Sequence, residues 1–170
     1  MRLLFTIDTK DYDPNGVAYN RPSVRGIIIR DNKVGMVHSL KYDYYKFPGG
    51  GIEADESYEQ ALIREVAEES GLQVIPDSIR EYGIVHRVEK SFTADIFVQD
   101  NYYFICDAEN ERCEQHLDDY EAEERFTLEF VLPAYAIHIN RCVDHGPKNL
   151  VMLERENKVL ELLLQEGYLQ

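Results

Sequence analysis

The chain has 170 residues, enough for a single domain that buries roughly two-thirds of the surface its unfolded form would expose. Eighteen Lys and Arg face 32 Asp and Glu, and the net charge of -14 argues against a nucleic-acid polymer or an anionic membrane as the main partner. An anionic substrate would have to be met by locally gathered cations.

No apolar run approaches the roughly 18 residues of a membrane span, and the opening MRLLFTIDTKDYD reaches acidic residues too soon for a signal peptide. Cys106, Cys113 and Cys142 lack metal-type spacing and read as free thiols in a reducing compartment, so the expected setting is the cytoplasm.

In chain order, β-rich runs cover Leu3 to Ile7, Ser23 to Arg30 and Lys33 to Leu40, the last two joined by a tight hairpin at Asp31-Asn32. Lys46-Phe47-Pro48-Gly49-Gly50-Gly51 follows as a loop whose glycines permit a tight path and a close backbone approach to a ligand or metal. A helix then runs from about Ser57, whose hydroxyl can cap it, to Ser70, with Gly71 suited to the left-handed position just past its end. Further strands are expected over Ile79 to Val88, Ala94 to Cys106 and Phe126 to Val131. The stretch from Asp107 to Glu124, rich in acidic residues, reads as a loop. Two more helices are expected, from about Pro133 to Val143 and from about Lys148 to Gln165, separated by His145-Gly146-Pro147. This mixture predicts an α/β chain with a mixed sheet and helices packed on its faces. The last helix carries an apolar stripe (Leu150, Leu153, Val159, Leu160, Leu163, Leu164). Packing on its own sheet is the preferred reading of that stripe, and a homodimer is the alternative.

The most informative span is Gly50 to Leu72. Glu65, Glu68 and Glu69 sit at i, i+3 and i+4 and share one helix face, while Leu62, Ile63 and Val66 occupy the neighbouring arc and can bury. Like charges at i, i+4 destabilise a helix by a few tenths of a kcal/mol, an effect a bound cation would reverse. Oxygen-only ligands of this type suit Mg²⁺ or Mn²⁺. A bare acidic helix face is ordinarily just solvated. Here a glycine loop precedes it and Arg64 stands a turn before Glu68, able to hold carboxylates in position.

Gly50, Glu56, Arg64, Glu65, Val66, Glu68, Glu69, Gly71 and Leu72 fill every defining position of the Nudix box, Gly-x5-Glu-x7-Arg-Glu-aliphatic-x-Glu-Glu-x-Gly-aliphatic, and the chain resembles the Nudix hydrolase superfamily. The box covers the span 50–72, and a weaker likeness extends over about residues 22 to 165. Asp55 departs from the glycine that many members carry before the first Glu of the box.

The resemblance implies an α/β/α sandwich and a metal-dependent hydrolase acting on a small nucleotide-derived substrate, in which a nucleoside diphosphate is linked to another moiety. Glu68 and Glu69 are then the first candidates for metal ligands, with the Gly50 carbonyl as a further oxygen. Glu65 is a ligand or the general base, and Arg64 and Glu56 support the site. An additional carboxylate is expected from outside the box, with Glu121 preferred over Glu123 and Glu124. Arg25, Lys46 and Arg87 are candidate phosphate contacts, with ordinary surface charge as the competing reading, and Tyr42, Tyr44, Tyr45 and Phe47 could stack a base or simply pack a sheet. The alternative function is a Nudix-fold sensor that binds a nucleotide metabolite without hydrolysing it, against which the intact carboxylates weigh.

Overall fold

The computed structural model describes residues 1–170. Its centre is a five-stranded mixed sheet. Strand β1 (Leu3–Asp8) runs parallel to β8 (Arg80–Lys90), which pairs antiparallel with β9 (Ile96–Ile105). Strands β2 (Ala18–Asn20) and β3 (Ser23–Ile27) both lie parallel to β9. A four-stranded antiparallel sheet places β5 (Lys33–Ser39) against β4 (Ile29–Arg30), β6 (Tyr44–Lys46) and β11 (Phe126–Val131). A small ladder joins β7 (Leu72–Val74) to β10 (Ala108–Arg112).

The run from Ser23 to Arg30, expected as one strand, is broken at Ile28. There the chain leaves one sheet for the other, and the Ile28 carbonyl accepts the Gly35 N–H. Asp31 and Asn32 both take positive φ in the hairpin that follows, the geometry of a two-residue turn that matches strand twist.

Helix α1 (Tyr58–Ser70) is delimited as its sequence implies. Ser57 accepts the Gln60 N–H while the Gln60 side chain accepts the Ser57 N–H, and Gly71 closes the helix at φ 70°. Its Ala61, Leu62 and Val66 bury against Val24, Ile28, Leu72, Phe104 and Leu128. On the opposite face, α3 (Pro133–Cys142) and α4 (Leu150–Gln165) cover a core built from Ile27, Met36, Tyr45, Phe47, Tyr103 and Val131. Leu153, Val159, Leu160 and Leu163 of the α4 stripe are buried within the chain itself, whereas Leu150 is exposed. No helix is long and apolar enough to cross a membrane.

The acidic stretch from Asp107 to Glu124 is not a plain loop. It contains β10 and a short helix, α2 (Asp119–Glu124), begun by a reciprocal cap between Asp118 and Glu121. Period-2 alternation hid β10, because all but its first residue are exposed and no apolar face marks it.

Candidate active site

Two adjoining pockets of opposite charge meet at Lys46 and Tyr120, one against α1 and α2 and the other between the central sheet and α4. The first is lined by Glu53, Arg64, Glu65, Glu68, Glu69, His116, Asp118 and Glu121, has a volume of about 240 Å³ and contains no hydrophobic side chain. Arg64 organises it. Its Nε and one terminal nitrogen grip Glu56 at 2.5 and 2.8 Å, and the other terminal nitrogen reaches Glu65 at 2.8 Å and Glu68 at 3.0 Å. The fork also donates to the Gly51 carbonyl at 3.2 Å, tying the glycine loop to the helix. Hydrogen bonding from Arg64 holds the Glu56 carboxyl down at about 2, and the same pairing raises the guanidinium above its ordinary range.

The three helix carboxylates differ. The Glu68 side chain is 38% exposed, whereas that of Glu65 is 15% exposed and lies against the glycine loop. A Cβ at Gly50 would meet Glu65 Oε2 at 2.2 Å, so only glycine permits this approach. Gly49, at φ 139°, would place a Cβ 2.1 Å from the Val24 carbonyl. Burial raises Glu65 above the usual carboxylate range despite the nearby Arg64.

Glu69, expected on the open acidic face, is instead enclosed. It is 2% exposed and accepts Lys46 Nζ at 2.5 Å and the Gly49 N–H at 2.8 Å. Burial pushes it up to about 7 against the pull of Lys46 and Arg25. The Gly50 carbonyl, a candidate ligand, accepts the Val24 N–H at 3.0 Å, which leaves it one lone pair.

Of the three acidic candidates outside the box, only Glu121 reaches this pocket. Glu123 pairs with Lys41 on the surface, and Glu124 turns into a buried network with Ser39, Tyr44 and Lys148. The Glu121 carboxylate accepts Tyr120 Oη–H at 2.8 Å and the Asp118 N–H at 3.0 Å. Burial would raise it, but hydrogen bonds with Glu69, Tyr120 and Asp118 leave it below the ordinary value.

No three His, Cys, Asp or Glu side chains are preassembled as a cation cage, since Arg64 and Lys46 engage several of the carboxylate oxygens. The donor set is nonetheless one of hard oxygens in an all-polar pocket, which fits Mg²⁺ or Mn²⁺, ions that retain water and engage substrate phosphates.

The second pocket, of about 470 Å³, has the opposite character. Strand alternation builds its floor. Arg87 and Glu89 of β8, Phe97 and Gln99 of β9, and Arg25 of β3 are odd-numbered residues on the sheet face toward α4. Arg87 and Gln99 are direct cross-strand partners. Lys46 of β6, Lys90, Lys148 and Arg155 of α4 complete a cation-rich lining with Arg21, and Glu89 is the only carboxylate among the lining residues. Arg25, Lys46 and Arg87, the three sequence candidates for phosphate contact, therefore share one cavity. Tyr44 and Tyr120 form part of its wall, while Tyr45 and Phe47 are core residues. Tyr42 lies under Lys148.

Sequence reasoning missed Arg21, Lys148 and Arg155. Arg155 is 1% exposed, with Nε 2.8 Å from its neighbour Glu156 and one terminal nitrogen 2.7 Å from Asn101 and 3.2 Å from Gln99. The side-chain amides of Gln99 and Asn101 in β9 thus serve an arginine. An Arg-Glu pair inside an apolar helical stripe was the available signal, since such charges are rarely buried unpaired.

The pockets share a wall. Lys46 lines the cationic cavity while bonding Glu69 of the acidic pocket, and Tyr120 does the same toward Glu121.

Residues 20–143 match the NUDIX domain family. Among curated proteins, the RNA pyrophosphohydrolase of Xylella fastidiosa strain Temecula1 is 36% identical over 72 residues, covering 42% of this chain and 35% of that protein. The corresponding protein of Stenotrophomonas maltophilia strain K279a is 35% identical over 72 residues, covering 42% of this chain and 32% of its own. The chain thus spans about a third of the length of these curated relatives. Among solved structures, a NUDIX hydrolase from Nitrosomonas europaea superposes with a TM-score of 0.61 at 18% identity, covering 88% of this chain and 90% of that one. An ADP-ribose pyrophosphatase from Streptococcus suis gives 0.52 at 14% identity, covering 86% and 91%. At these identities the structural likeness speaks for the fold.

Proposed function

Since the chain belongs to the NUDIX family, we propose that it hydrolyses a phosphoanhydride bond in a small substrate, in which a nucleoside diphosphate is linked to another moiety, with Mg²⁺ or Mn²⁺ as cofactor. The observation that carries this reading is the shared wall: an all-polar carboxylate pocket joined through Lys46–Glu69 to a cavity rich in Arg and Lys. A diphosphate laid across that wall meets cations from one side and metal-binding oxygens from the other.

Glu65, Glu68 and Glu69 would hold the metal, with Glu121 as the carboxylate from outside the box. The ion would neutralise diphosphate charge, lower the pKa of a bound water and stabilise charge building up at phosphorus. The chain's own residues do the rest. Arg64 fixes Glu65 and Glu68 relative to each other and to Gly51, so carboxylate geometry is set before substrate arrives. Arg25 and Lys46 orient the diphosphate. If Glu65 serves as the base rather than as a third ligand, its partial burial and raised pKa suit it to accept a proton from the attacking water.

The net charge favours a small nucleotide over a polymer, and three free thiols support a cytoplasmic setting. Release of phosphate or pyrophosphate from nucleoside triphosphates, and of nucleotide products from nucleotide sugars and dinucleoside polyphosphates, with Mg²⁺ and with chelator, tests the proposal. Turnover that vanishes with chelator is expected. Binding without turnover of any member would instead identify a sensor.

A further inference from the structure

The cationic cavity holds more positive charge than a diphosphate alone requires, and two of its buried cations are incompletely partnered. Arg25 and Arg87 are 7% and 6% exposed, yet Nε of each lacks any hydrogen-bond partner. The Arg25 side chain donates only to the Gly49 carbonyl, and that of Arg87 only to Glu89. Arg87 is paired with Glu89, as Lys46 is with Glu69, Lys148 with Glu124 and Arg155 with Glu156, whereas Arg25 and Lys90 have no carboxylate partner.

Burial and then repulsion from Arg155 lower the Arg87 pKa from its ordinary value, and Arg25 adds to the crowding. Like charges with unmet donors in a partly desolvated cavity are costly unless an anion completes them. Two places are distinguishable. Arg25 and Lys46 stand at the wall shared with the carboxylate pocket. Arg87 and Lys90 lie on β8 toward the turn that joins it to β9, where Arg87 stacks over Phe97 at 5.4 Å.

Building on the hydrolase reading, we propose that the substrate carries a further phosphate beyond the scissile diphosphate, and that Arg87 with Lys90 receives it while Arg25 and Lys46 receive the diphosphate. The additional phosphate either extends the phosphate chain or is borne on a sugar. Arg87 thereby becomes a specificity-determining residue, since an uncharged group in that position would leave its donors unmet.

Matched pairs test this: kcat/KM for ATP against ADP-glucose reports the chain phosphate, and NADPH against NADH reports a sugar phosphate. At least one pair should favour its more phosphorylated member by about tenfold or more, the scale of one lost hydrogen bond to a charged group. Arg87→Gln should erase that preference, lowering kcat/KM for the favoured member about tenfold more than for its partner. Lys90→Gln, at an exposed position, should act in the same direction and keeps the test readable if Arg87→Gln does not fold. Absence of preference in both pairs, or preference that survives both substitutions, overturns the inference and leaves the hydrolase reading intact. If no substrate is turned over, thermal stabilisation by inorganic tripolyphosphate in chelator decides. Greater stabilisation than by pyrophosphate, lost in the variants, sustains the inference without hydrolysis, whereas equal stabilisation overturns it.

Discussion

The two pockets are built in different ways. The carboxylate pocket is largely local: four of its lining residues come from a single helix, and Arg64 at the centre reaches only partners within a few turns of chain. The cationic cavity draws on β3, β6, β8, β9, α4 and the segment before α4, and one of its cations is buried with Glu156 inside the core. An exposed side chain of the first pocket such as Glu68 can therefore be changed with small effect on the fold. Several of the second are also structural members, so chemistry and stability are entangled there.

The largest expected effect tests the independence of the first pocket. Glu68→Gln removes a candidate ligand oxygen whose side chain is 38% exposed. Losing metal-derived stabilisation of several kcal/mol should lower kcat about 10³-fold. The thermal midpoint should stay within a few degrees. Near-native turnover at saturating Mg²⁺ would remove Glu68 from the site.

The second prediction concerns entanglement in the cavity. Glu156 accepts Arg155 on one oxygen and the Phe47 N–H at 3.0 Å on the other, and is fully buried. Glu156→Leu should destabilise the chain by about 3–5 kcal/mol, because Arg155 is left buried without its counter-charge. Arg155→Met combined with Glu156→Leu should recover part of that loss in urea unfolding. If the single variant unfolds like wild type, the pair is not the structural tie described here.

These contrasts also explain what the sequence disclosed. A motif confined to 50–72 can be read from spacing alone, because one turn of helix converts i, i+3 and i+4 into a common face. The helix caps at Ser57 and Gly71 were legible for the same local reason. Spacing could not show that Glu69 turns inward, since its enclosure depends on Lys46, 23 positions earlier. Nor could it show the cavity floor. Arg87, Gln99 and Arg25 share a face only once the register of β8, β9 and β3 is known, and a slip of one residue would turn each strand's set to the other side. The break at Ile28 was invisible because Ile27, Ile28 and Ile29 run across it without a Gly or Pro to mark the switch.

The contribution of α2 to the first pocket sets a third, smaller contrast. Glu121 and Glu123 are two positions apart in one short helix, but one enters the carboxylate pocket and the other pairs with Lys41 on the surface. Glu121→Gln should lower kcat/KM about 10- to 100-fold, the range for outer partners of a metal site. Glu123→Gln should change stability by less than about 0.5 kcal/mol and leave kinetics unmoved. Equal effects of the two substitutions would mean that α2 does not belong to the site.

The smallest expected effect concerns the anchor that makes the first pocket local. Glu56 is held down to about 2 from an ordinary 4.5, chiefly by hydrogen bonding to Arg64. A depressed carboxylate adds stability above the unfolded-state value and loses it as pH falls through the folded-state value. The Glu56–Arg64 contribution should therefore be complete above about pH 4.5 and decline toward pH 2. Urea unfolding of metal-free protein at steps across this window should show a steeper loss for wild type than for Glu56→Gln, with the two curves converging at the acid end. Parallel curves would show that Arg64 draws no net stability from Glu56, and its hold on Glu65 and Glu68 would then rest on the Gly51 carbonyl and the helix alone.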